Sequence, residues 1–118
     1  MYIILGDDKL SVVDQRYMVV PLDIIQVAAD QDPVNSYCVI EQVPLEEMPA
    51  AEQWKSLHNN LIKNYQLKNW AFCEQAIEYL VGKWRGELDS FYTDLLSRVN
   101  QNKQLPPDSD WSPVIKKF

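Results

Sequence analysis

Residues 44–66 read PLEEMPAAEQWKSLHNNLIKNYQ, and the chain changes character within them. Trp54, Leu57, His58, Leu61, Ile62 and Tyr65 fall at i, i+3, i+4, i+7, i+8 and i+11, one apolar stripe at the helical period. Pro49 suits a first helical turn, where a missing N–H costs nothing. Glu46, Glu47 and Glu52 lie where the helix dipole favours carboxylates. The spacing predicts a helix over 50–66 and makes 44–49 a linker between two halves of unlike chemistry.

Downstream, the helical period returns twice. Trp70, Cys73, Ile77, Leu80 and Val81 mark a helix over 70–81, with Gly82 suited to the left-handed position that ends it. Leu88, Phe91, Tyr92, Leu95, Leu96 and Val99 mark another over 87–101, with Glu87 and Asp89 at its start and Arg98 at its end. A link of about three residues between the first two helices implies an antiparallel pair. The closing stretch, LPPDSDWSPVIKKF at 105–118, is proline-rich and expected to be extended, with Trp111 docked on the helices.

Upstream, the pattern is that of strands. Tyr2–Leu5 is a short apolar run ended by Gly6-Asp7-Asp8-Lys9, a turn-forming sequence. Leu10–Val13 follows, so residues 2–13 read as a β-hairpin. After a turn at 14–16, Tyr17–Val20 reads as a strand, Pro21 as a bulge or edge position, and Leu22–Val27 as its continuation. Asp30-Gln31-Asp32-Pro33 reads as a turn and Tyr37–Val43 as the last strand. The expected architecture is therefore α+β, one domain over 1–118. A small, mostly antiparallel sheet from the strand-rich half (1–44) packs on three helices (49–101), and an extended tail (102–118) docks on them.

The 118 residues carry 17 acidic and 11 basic side chains, a net charge of -6. The acidity is concentrated, with a net of -7 over 1–59 and +1 over 60–118. That balance disfavours nucleic acid and anionic membrane surfaces, which select basic patches. No apolar run approaches the ~20 residues of a membrane span, and MYIILGDDKL lacks the charged start of a signal peptide. Cys38 and Cys73 sit in apolar stretches, where a free thiol behaves as a small hydrophobe. A reduced, cytoplasmic setting is the expectation that follows.

Tyr65 and Trp70 (NYQLKNW), the helix FCEQAIEYL, and FYTDLLSRV with Arg98 stand in a recognisable order. Pro106-Pro107, Trp111 and Lys116 complete it as LPPDSDWSPVIKK. Residues 65–117 resemble the tetratricopeptide-like tail that follows the catalytic domain in many bacterial class III adenylate cyclases. The resemblance implies a helical packing and protein-contact module. It does not imply cyclase activity, since residues 1–44 are too few for the catalytic domain.

Catalytic templates find little to build on. The glycines are Gly6, Gly82 and Gly86, too few and too scattered for a phosphate-binding loop. Gly82-Lys83-Trp84-Arg85-Gly86 reads either as an anion-binding turn or as a helix connector with solvated charges, the second being commoner. His58 is the single histidine, so a general base would be this residue, yet it falls on an apolar stripe where a structural histidine is the ordinary reading. Zinc spacing is absent, and Asp7-Asp8 and Asp30-x-Asp32 sit in turns, where aspartate serves the backbone. No catalytic residue, metal or cofactor is expected. Trp84, between Lys83 and Arg85 on a connector, matches the composition of interface hot spots, or else packs as a cap on the helix pair.

Three functions are compatible with this inventory. The first is a non-catalytic interaction or regulatory module with a protein partner or self-association, contacting through Trp84, Lys83 and Arg85. The second is a small-molecule-binding protein or enzyme using His58. The third is a small viral or mobile-element accessory protein whose acidic half imitates nucleic acid or meets a basic host surface.

Overall fold

The computed structural model describes residues 1–41, 43–109 and 111–118. Gln42, inside the strand expected at 37–43, and Asp110, inside the expected tail, lie outside the described residues. The fold is α+β, with a four-stranded, mostly antiparallel sheet and three main helices. The chain divides into two compact units, residues 1–49 with 113–118, and residues 50–112.

The first unit is the sheet: β1 (Tyr2–Leu5), β2 (Met18–Gln26), β3 (Val34–Ile40) and β4 (Ile115–Lys116), in the order β1-β3-β2-β4. β2 and β3 form a hairpin across the turn expected at 30–33, and Gln26 Nε2 staples its loop by donating to the carbonyls of Ala28 at 3.2 Å and Gln31 at 3.0 Å. Pro21 does mark a bulge. It faces Tyr37, but the next paired residue, Ile24, faces Asn35, so β2 carries one extra residue here. At the bulge the Asp23 carbonyl accepts the hydroxyl of buried Ser36 at 2.6 Å. One irregularity thus satisfies a polar group that burial would otherwise penalise.

Two expectations for this unit are corrected. Residues 2–13 are not a hairpin: β1 pairs antiparallel with β3, and Asp7–Val12 forms a 3-10 segment. The Asp7 carboxylate explains the difference. It accepts hydrogen bonds from the Tyr37 hydroxyl and from Asn35 Nδ2 at 3.1 Å, so the chain after Gly6 is held at β3 rather than folded back on β1. The tail, expected to dock on the helices, is extended, but its residues 113–118 join the sheet unit instead. β4 runs parallel to β2, with Ile115 opposite Ile25, and the Lys117 N–H donates to the Gln26 carbonyl at 2.9 Å.

The second unit is helical: α1 begins at Met48 within the linker and runs to Gln66, α2 spans Trp70–Leu80 and α3 spans Asp89–Gln104. The Lys103–Glu74 ion pair (2.9 Å) joins the end of α3 to the start of α2, and the Gly82 N–H donates to Asp89 Oδ1 (2.8 Å) at their other ends, so α2 and α3 are antiparallel. His58 meets Tyr92 and Tyr65 meets Arg98, so α1 and α3 run in the same direction. Most of each stripe found in the sequence is buried: Leu61 and Ile62 of α1, Cys73, Ile77 and Leu80 of α2, and Tyr92, Leu95 and Val99 of α3; Val81, at the end of the second stripe, lies beyond α2 and is exposed. Trp111 docks as expected, in edge contact with Tyr65 and Trp70, each at 5.6 Å between ring centres.

Candidate functional site

The residues singled out in the sequence fall around one connector and the helix behind it. Between α2 and α3, Trp84 (φ 55), Arg85 (φ 58) and Gly86 (φ 77) are all left-handed. The Gly86 N–H donates to the Lys83 carbonyl at 2.9 Å and the Glu87 N–H to the Trp84 carbonyl at 3.1 Å. These are two overlapping turns of the mirror-image type. A left-handed backbone costs an L-residue about 1–2 kcal/mol, and two non-glycine residues adopt it in succession.

What the strain secures is the position of Trp84. The indole is only 3% exposed, stands edge-on to Trp54 at 5.4 Å, and donates Nε1–H to the Tyr92 hydroxyl at 3.1 Å. Trp84 is therefore a buried residue and does not present its ring at the surface as an interface hot spot would. The cap-on-the-helix-pair alternative describes it. Arg85 is exposed, while Lys83 is half-buried, its Nζ 5.0 Å from the centre of the Tyr79 ring. The turn does receive an anion, but it is the chain's own: the Asp89 carboxylate on the Gly82 N–H.

His58 is 0% exposed, and its Nδ1 shares a 2.8 Å hydrogen bond with the Tyr92 hydroxyl. An indole N–H can only donate, so the Tyr92 oxygen accepts from Trp84 and its own proton is available to His58. The result is a buried polar chain, Trp84–Tyr92–His58, that ties the connector to α3 and α1. The structure brings Trp84 and His58 together through Tyr92, which the sequence reading had placed only in a core stripe. His58 is thus held by a hydrogen-bond partner within the helical unit and is not exposed to solvent.

The sheet unit holds a cleft of about 550 Å³ lined by Arg16, Tyr17, Glu41, Val43, Leu45 and Met48. Its Arg16 guanidinium is already engaged by Asp14 at 2.7 Å, and that hydrogen bond holds the Asp14 carboxyl down at about 2. Glu41 accepts from the Met1 ammonium at 3.2 Å. Among the described residues no three His, Cys, Asp or Glu side chains are grouped to hold a metal ion. Burial raises the Cys73 thiol to about 11, far from the range of a reactive thiolate.

The surface that the sequence reading missed is β1. It is a terminal strand, and among the described residues its one strand partner is β3. The Gly6 N–H donates to the Asn35 carbonyl at 2.8 Å, which makes that position a hydrogen-bonded pair. Such pairs alternate along an antiparallel ladder, so Tyr2 and Ile4 bond to β3, while Ile3 and Leu5 turn their N–H and C=O to the open edge. The side chains there are apolar and exposed, Ile3 by 61% and Leu5 by 44%. Open, apolar edges are templates for pairing with another chain. The signal was not local, because Tyr2–Leu5 reads the same whether its partner is the next run or a strand thirty residues on.

Among the described residues no helix is long and apolar enough to cross a membrane. Comparison of the chain with protein-family models, with curated proteins and with solved structures found no match.

Proposed function

We propose that this chain is a non-catalytic protein-interaction module whose contact surface is the open edge of β1. The observation that carries the reading is the outward backbone of Ile3 and Leu5 combined with their exposed apolar side chains. Strand addition supplies affinity through main-chain hydrogen bonds and specificity through alternate side chains. The candidates for chemistry support the same reading, since His58 is bonded to Tyr92 within the helical core and Cys73 is a neutral thiol. The likeness to a tetratricopeptide-like tail belongs to this proposal as well, with the helical unit as packing scaffold and Lys83 and Arg85 as accessory contacts.

The test is a charge placed on the edge. Ile3→Lys leaves the β1–β3 bonds in place, because the Ile3 polar groups face away from β3, and lysine on an edge opposes pairing. A partner captured by the wild type is purified and its rebinding titrated. Binding lost in Ile3→Lys, with an unchanged melting curve, is the expected result. Binding retained in Ile3→Lys but lost in a Lys83→Ala, Arg85→Ala double variant would move the contact surface to the connector.

A further inference from the structure

We infer that the strand completing the β1 edge is an extended segment of a partner protein, apolar at alternate positions, basic at its N-terminal end and antiparallel to β1. The inference rests on the interaction-module reading and adds the chemistry of the partner. The side-chain pattern comes first. Ile3 and Leu5 lie two residues apart on one face of the strand, both exposed, so an incoming strand meets them with every second residue.

Charge decides the flank. The sheet unit carries nine acidic and four basic side chains, a net of -5. Two of those bases, Lys116 and Lys117, lie at β4 on the opposite side of the sheet, and a third, Arg16, is bonded to Asp14. Asp7 and Asp8 follow β1 after Gly6, with Lys9 beside them. The Asp7 carboxylate is bonded to neutral donors, Tyr37 and Asn35, which hold it ionised without cancelling its charge. The C-terminal end of β1 is thus the acidic end of an uncharged edge.

Direction follows from the ladder. β1 and β2 both pair antiparallel with β3, and antiparallel pairing is the more stable per residue. An antiparallel newcomer sets its N-terminus beside Asp7 and Asp8, so that is where Lys or Arg belongs. A second copy of the chain fits less well. Antiparallel pairing of Tyr2–Leu5 with itself brings to this end only the Met1 ammonium, which Glu41 already engages at 3.2 Å, and sets two units of net -5 side by side.

The test uses two blocked synthetic peptides of one composition, valine alternating with threonine, one with two lysines at its N-terminus and one with them at its C-terminus. The lysine-first peptide is expected to bind about fivefold more tightly in dilute buffer, the scale of an exposed ion pair. The ratio should fall towards one in 1 M salt, where screening acts within ~3 Å, and also in Asp8→Asn. Neither peptide should bind Ile3→Lys. Equal affinity of the two peptides in dilute buffer overturns the charge and direction assignment. Binding of neither at millimolar concentration overturns the assigned occupant, while a captured partner lost in Ile3→Lys keeps the module reading alive. A wild-type dimer in sedimentation that dissociates in Ile3→Lys overturns the inference in favour of a second copy.

Discussion

Replacing Tyr92 by phenylalanine removes one oxygen from the helical unit and leaves its shape intact. That oxygen accepts the Trp84 indole N–H at 3.1 Å and shares a 2.8 Å bond with His58 Nδ1, and all three side chains are buried. Stranding a buried polar group costs about 1–3 kcal/mol, and an ordinary intramolecular hydrogen bond contributes about 1 kcal/mol. Tyr92→Phe should therefore lose about 3 kcal/mol. Across a chain of this length that lowers the melting temperature by about 10 °C. Urea titration at pH 7 reads the effect directly: the midpoint falls while the slope holds, because the folded surface is unchanged. The double variant Tyr92→Phe, Trp84→Phe should lose less than the sum of its parts, with a coupling of about 1 kcal/mol. A loss below about 0.5 kcal/mol in Tyr92→Phe would refute the polar chain, since mutational cost that small belongs to a surface substitution.

Arg85 is held at φ 58, so Arg85→Val should destabilise the chain by about 1–2 kcal/mol while Arg85→Gly should be neutral or stabilising; chemical denaturation ranks the three. The Asp7 carboxyl titrates below its ordinary 3.8 because Tyr37 and Asn35 bond its ionised form. Its contribution to stability is therefore fully present above pH ~4 and lost as pH falls through the lowered folded value. An acid titration of stability should be shallower in Asp7→Asn than in the wild type. Cys73, raised to about 11 by burial, should resist a thiol reagent at pH 8 in native buffer and react promptly in denaturant, as followed by mass spectrometry of the labelled peptide.

Much of this architecture was legible in the residues themselves. Three stripes at the helical period located the helices to within a few residues, because burial of one face is what stabilises a helix in a protein. Pro21 announced its bulge, since a residue without an N–H cannot sit in a regular ladder. The docking of Trp111 followed from a large aromatic ring in an otherwise polar, proline-rich tail. These are local rules, set by spacing and by the chemistry of single side chains.

Tertiary structure decided the rest. A strand of four residues carries no record of which strand it will pair with, so the sequence placed β1 in a local hairpin and the fold gave it to β3. That choice depends on Asp7 meeting Tyr37 and Asn35 from thirty positions away, and it is what leaves Ile3 and Leu5 at an open edge. Trp84 shows the same division. Its neighbours Lys83 and Arg85 suggested a surface, but a left-handed turn rotates the ring inward onto Trp54 and Tyr92. Spacing and turn residues determined where the main strands and the helices lie along the chain. Which side chains face outward was settled by pairings between residues distant in sequence, where hydrogen-bond partners and packing outweigh local preference.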